Sequence, residues 1–179
     1  MKAFIKPLIF SFLLLSLSCS KEEDCDNPVD CLPSATQIGA NTAGCLVNGE
    51  TLLPGGRHLG SGSVLHSQYL FYENEYVFSM SFSNKNNDLI QLRSRGVKLE
   101  KGKIYALAKN IEGSISAAYL IRAGLEDGFV TTEAVTGEFK VTHLDESKNI
   151  LSGAFWFDAV NGSGEVVEIR EGRFDVRYQ

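Results

Sequence analysis

Large apolar side chains alternate with small polar ones through much of this chain. Phe78, Met80 and Phe82 are separated by Ser79 and Ser81 and followed by Ser83, and a period of two puts three apolar groups on one side of an extended segment and hydroxyls on the other. The pattern predicts a half-buried strand. The same alternation recurs at Ile90 and Leu92, at Ile104, Ala106 and Ala108, at Phe139 and Val141, and at Phe174, Val176 and Tyr178. Turn-forming clusters separate these runs at residues 73–75, 84–87, 100–103, 145–149 and 161–164, as short strands require. The expectation is a single antiparallel all-β domain over residues 43–179, built as a β-sandwich or, alternatively, as a closed β-barrel.

Parity extends this reading to the C-terminal end. A two-residue turn at Glu171 and Gly172 would pair Ile169 with Phe174 and Val167 with Val176, gathering the apolar residues on one face of a hairpin. The other face would carry Glu168, Arg170, Arg173 and Asp175, a charged ladder expected in solvent. Ile115, Ala117, Tyr119 and Ile121 alternate as a strand would, although Ile111, Ile115, Ala118 and Arg122 also fit a helical spacing. Gly113 and Ser114 disfavour a helix interior, so a strand is expected.

The N-terminal residues follow a different rule. Residues 1–18 carry Lys2 and Lys6, then the apolar run Leu8 to Leu17, then the small Ser18 before Cys19. About 15 Å of helix is too short to cross a bilayer core, so the segment reads as an export signal. Its junction resembles a bacterial lipobox, with Ser16 where that pattern has leucine. The resemblance implies cleavage before Cys19 and a diacylglycerol on its sulfur. Acyl chains would then anchor the mature protein, since each buried methylene contributes about 0.8 kcal/mol. The following Lys21, Glu22, Glu23 and Asp24 resemble the short acidic signal that sends lipoproteins of the Bacteroidota to the outer face of the outer membrane. The location implied is the outer membrane, lipid-anchored, on its periplasmic or cell-surface side.

Residues 19–42 are rich in acids and prolines and read as a flexible tether. Cys25 and Cys31 lie in it and Cys45 lies beyond. With Cys19 acylated, three thiols remain in an oxidising compartment. Cys25 and Cys31 can close a short loop and leave Cys45 as a small buried hydrophobe; alternatively Cys31 and Cys45 can staple the tether to the domain. The full chain has a net charge of −5, and loss of residues 1–18 removes two lysines and no acid, leaving −7. No basic stripe is present, so nucleic acid is not an expected partner.

Candidate chemistry is sparse. No serine has glycine two places away on both sides, which excludes the nucleophile-elbow pattern. His58, His66 and His143 show no metal-ligand spacing with Cys, Asp or Glu, so no metal and no cofactor are expected. The glycine-rich run from Gly55 to Gly62 lacks phosphate-loop spacing and reads as a long loop, with Arg57 and His58 as candidate ligand contacts. Phe155 and Phe157 share one face of a predicted strand and Trp156 takes the other, making Trp156 a third candidate contact for a glycan or protein partner.

Two stretches carry a wider resemblance. Gly39 to Gly49 (GANTAGCLVNG), followed by Leu53 and Pro54, and Ile150 to Tyr178 (ILSGAFWFDAV, then EIREGRFDVRY) are similar to uncharacterised lipoproteins of the Bacteroidota that share a domain of no assigned function. The resemblance implies a β-rich envelope lipoprotein and transfers no catalytic or binding residue. The expected function is a membrane-anchored, non-catalytic binding or adaptor module. The alternatives are a structural envelope component and a glycoside hydrolase using dispersed carboxylates such as Glu138 and Asp158.

Overall fold

The computed structural model describes residues 25–56, 63–123 and 128–179. The expectations at Cys19, at Lys21, Glu22, Glu23 and Asp24, and at Arg57 and His58 lie outside the described residues. Eleven strands form one sheet: β1 (Thr42–Val47), β2 (Glu50–Leu52), β3 (Leu65–Tyr72), β4 (Glu75–Ser83), β5 (Leu89–Arg95), β6 (Ile104–Leu107), β7 (Ile115–Leu120), β8 (Phe129–Val130), β9 (Gly137–Asp145), β10 (Ile150–Val160) and β11 (Val166–Arg177). Their order is β2-β1-β11-β10-β9-β6-β7-β5-β4-β3, with β8 joining β7 to β10.

The described residues form an all-β fold, and it closes as the barrel named above as the alternative to the sandwich. Strands β10, β9, β6, β7 and β8 return to β10 as a five-strand ring. Every pairing is antiparallel except β6 with β7, where Leu107 lies beside Ile115 in parallel. The far edge is also met: the Gln179 N–H donates to the Ser67 carbonyl, and the Gln179 carbonyl accepts from the Tyr69 N–H. Closure matters because an open β3 would present a row of unpaired backbone groups.

Most of the alternating residues read from sequence fill the interior, but the run at Ile104, Ala106 and Ala108 is corrected: Ile104 and Ala106 are exposed on β6, and the larger residues of the opposite register, Leu107 and Tyr105, pack against the core instead. Phe78, Met80, Phe82, Ile90, Leu92, Phe139, Phe157 and Ile169 are fully buried. A narrow barrel has no room for two large groups at one level, and the strands solve this with glycine. Phe174 faces Gly153 across the β10–β11 ladder, and Phe155 faces Gly172. A Cβ on Gly153 would stand 2.6 Å from the Phe174 ring, and one on Gly172 would stand 2.4 Å from the Phe155 ring. Each aromatic therefore occupies the space its partner leaves empty.

The expected hairpin at Glu171 and Gly172 is corrected. β11 runs straight through both residues, with Ile169 opposite Phe157 and Phe174 opposite Gly153 on β10. Between those pairs β11 carries one residue more than β10, and the same excess appears against β1. Glu171 adopts φ 54°. This is a β-bulge, and one extra residue inverts the in–out parity just as a two-residue turn does. The charged ladder is corrected with it. Asp175 is 1% exposed and lies inside a hydrogen-bonded cradle.

That cradle fastens the segment before β1. Asp175 accepts from the Thr36 hydroxyl at 2.5 Å, from the backbone N–H groups of Ile38, Gly39 and Ala40 at 3.0, 2.8 and 3.1 Å, and from the Ser152 hydroxyl at 2.8 Å. Burial opposes its ionisation, but the donors led by Thr36 and Ile38 outweigh it and hold the pKa down to about 2. Upstream, Leu32 and Pro33 pack over Gly44 of β1. Cys25 is joined to Cys31, and the Thr51 hydroxyl of β2 donates to the Pro28 carbonyl at 3.1 Å. The described part of the segment read from composition as a flexible tether, residues 19–42, is thus fastened at Pro28 to β2, at Leu32 and Pro33 to β1, and at Thr36 to Ala40 to β11.

Candidate binding site

Two cavities on the described surface are large enough to hold a small molecule. The first is a groove of about 620 Å³ on the outer side of β5 and β7. Inward residues of β7 are Ile115 and Ala117, which join the core; the alternate positions Ser116 and Ala118 face out and, being small, leave a trough. Leu120, Val130 and Ala134 wall it, and Gln91, Arg93, Lys109 and Glu133 line it with polar groups.

One wall is the segment following β8, held in place by Thr131. Its hydroxyl donates to the Ala108 carbonyl at 2.5 Å and accepts the Ala117 N–H at 3.0 Å. The Thr131 N–H also reaches the Ala117 carbonyl at 3.0 Å. Two of these bonds hold Thr131 to Ala117 of β7 and one holds it to Ala108, so the wall cannot shift without losing them. Arg93 donates to the Gln91 side chain at the opposite side. The result is an apolar trough with two cationic side chains and one carboxylate among its linings, which suits an apolar ligand bearing an acidic group.

The second cavity, about 1260 Å³, opens at the end of the fold where β1, β4 and β7 finish and β11 begins. It is bordered by the β1–β2 turn, by residues 53–56, by the β4–β5 turn at 84–88, and by Ile121 and Glu165, with Cys25 and Cys31 on one wall. Polar and apolar residues alternate around it without a convergent set.

Trp156 stands apart from both. The residue is 39% exposed, on the outer face of β10. The Arg170 guanidinium lies over it at 5.5 Å, and its Nε1–H donates to Glu138 at 3.3 Å. Arg170 also pairs with Asp158 at 2.7 Å. One face of the indole is therefore already occupied by a cation, so the platform for a stacked sugar suggested by sequence is covered on that side. Glu138 and Asp158, the carboxylates considered for hydrolysis, line neither cavity and are engaged by Trp156 and Arg170. Among the described residues no group of three or more His, Cys, Asp or Glu is placed to hold a metal ion.

Sequence reasoning missed the groove. Its floor residues Ser116 and Ala118 were legible only as the outward positions of a strand, and nothing in their identity marks a ligand. The wall depends on Thr131 reaching across from β8, a contact between segments that periodicity does not reveal. No protein-family model, no curated protein and no solved structure matches this chain.

Proposed function

We propose that this chain is an envelope lipoprotein, fixed to the outer membrane through an acylated Cys19, and that its barrel is a non-catalytic binding module. The anchor reading rests on the sequence around Cys19. The binding reading is carried by the trough on β7, whose volume falls in the range of small-molecule sites and whose floor and walls are largely apolar, with Ala118, Leu120, Val130 and Ala134 among them. Arg93 and Lys109 favour an anionic group on the ligand, and the burial of an apolar body supplies the affinity.

Two experiments separate the parts. Cys19→Ser should move the protein from the detergent phase to the aqueous phase; unchanged partition contradicts the anchor. For the trough, the folded protein is titrated with 1-anilinonaphthalene-8-sulfonate, an apolar anion. Saturable one-to-one binding is expected, weakened at least about tenfold by Ala118→Phe, which fills the floor, a loss of about 1.4 kcal/mol. Equal binding by Ala118→Phe, with its unfolding midpoint unchanged, contradicts the site.

A further inference from the structure

Where the chain leaves the barrel fixes which end of the barrel meets the membrane. Cys25 lines the cavity at the end where β11 begins, and its position is held by the Cys25–Cys31 bond and by Thr51 on Pro28. Leu32 and Pro33 then lie over Gly44, and residues 36–40 are bound to Asp175. Of residues 19–42, then, only those from 19 to 25 separate the acylation position from a fixed point on the fold. Six residues reach at most about 20 Å in any conformation.

Resting on the Cys19 anchor proposed above, we infer that the barrel stands with the end that holds this cavity toward the bilayer, and that the lipid headgroup surface covers this end. The strand β10 spans Ile150–Val160, so its two flanking turns are separated by roughly 35 Å of strand. A leash of about 20 Å that starts at one end cannot bring the other end to the membrane without laying the barrel on its side. Three exposed apolar side chains sit at the near end: Leu53, Ile121 and Val166, at 37, 41 and 54% exposure. Asp30, Glu50, Asp88 and Glu165 share that end. Carboxylates are not drawn to an anionic surface, so the short leash and not charge sets the approach. The trough on β7 opens on the barrel's side, where a bilayer beneath that end does not block it.

The test uses the native acylated protein in dioleoylphosphatidylcholine vesicles doped with a headgroup spin-labelled lipid. Ser163→Cys and Glu146→Cys place one fluorophore in each turn flanking β10; both positions are exposed, whereas Cys45 is buried. The label at 163 should be quenched at least about threefold more strongly than that at 146, given the roughly 35 Å of strand between them. Inserting 20 Gly/Ser residues after Asp24 gives a leash of roughly 25 Å root mean square beyond the native one and should abolish the difference. Equal or reversed quenching in protein that floats with the vesicles overturns the orientation alone. Protein that does not float overturns the anchor and the orientation with it.

Discussion

Gly39 and Asp175, 136 residues apart, are joined by a 2.8 Å hydrogen bond from the Gly39 backbone N–H to the buried carboxylate. Gly39 adopts φ 71°, a conformation that turns three successive N–H groups toward one acceptor and that glycine adopts without penalty. The carboxylate does for this segment what a ladder does for a strand. It satisfies the buried Gly39 N–H, which would otherwise lack a partner, together with the part-buried N–H groups of Ile38 and Ala40.

Asp175→Asn replaces one acceptor oxygen with a donor that faces at least two N–H or O–H groups. The expected loss is about 2–4 kcal/mol, read from the urea midpoint of the mature chain. Its pH dependence has a definite sign. The folded pKa is held below the ordinary value of 3.8, at about 2. The contribution of Asp175 is therefore complete above about pH 4 and is lost as pH falls toward 2. In Asp175→Asn that part of the acid destabilisation should disappear.

Gly172→Ala should destabilise by about 1–3 kcal/mol, the range for overfilling a packed interior. The added Cβ would stand 2.4 Å from the Phe155 ring and 2.6 Å from the Phe155 carbonyl oxygen. The companion change Gly172→Ala with Phe155→Leu should recover part of the loss. A double-mutant cycle in urea, showing no coupling, would contradict the reciprocal aromatic–glycine packing.

How much of this was legible in the sequence depends on what the residues report. Phe78, Met80 and Phe82 report their own face, and all three are in the core. At Glu171 and Gly172 the same logic failed, because a parity change is compatible with a hairpin and with a bulge. Only the partner strands decide, and they lie at β1 and β10. Asp175 was read as exposed from its charged neighbours; its burial depends on Thr36 to Ala40, whose composition resembles a free linker. The trough on β7 is a relation between outward small residues and Thr131, and no local pattern encodes it.

Phe139→Ala should cost about 3–5 kcal/mol. Its ring stacks on Phe174 at 5.7 Å and meets Phe78 at 5.2 Å, so it joins β9 to β11 and β4 across the interior. Differential scanning calorimetry of the two proteins checks the value.

Burial pushes the Cys45 thiol up, out of the range where a thiolate forms near neutral pH. In the native, unreduced mature chain a maleimide should leave Cys45 unmodified over hours and label it promptly in urea. Prompt labelling of Cys45 without denaturant would contradict its place in the core.

The most direct test of the central claim is mass spectrometry of the N-terminal peptide from protein extracted from its own membranes. The account predicts a peptide beginning at Cys19 and carrying a diacylglycerol thioether. A peptide that begins elsewhere, or one with a free Cys19 thiol, would contradict it.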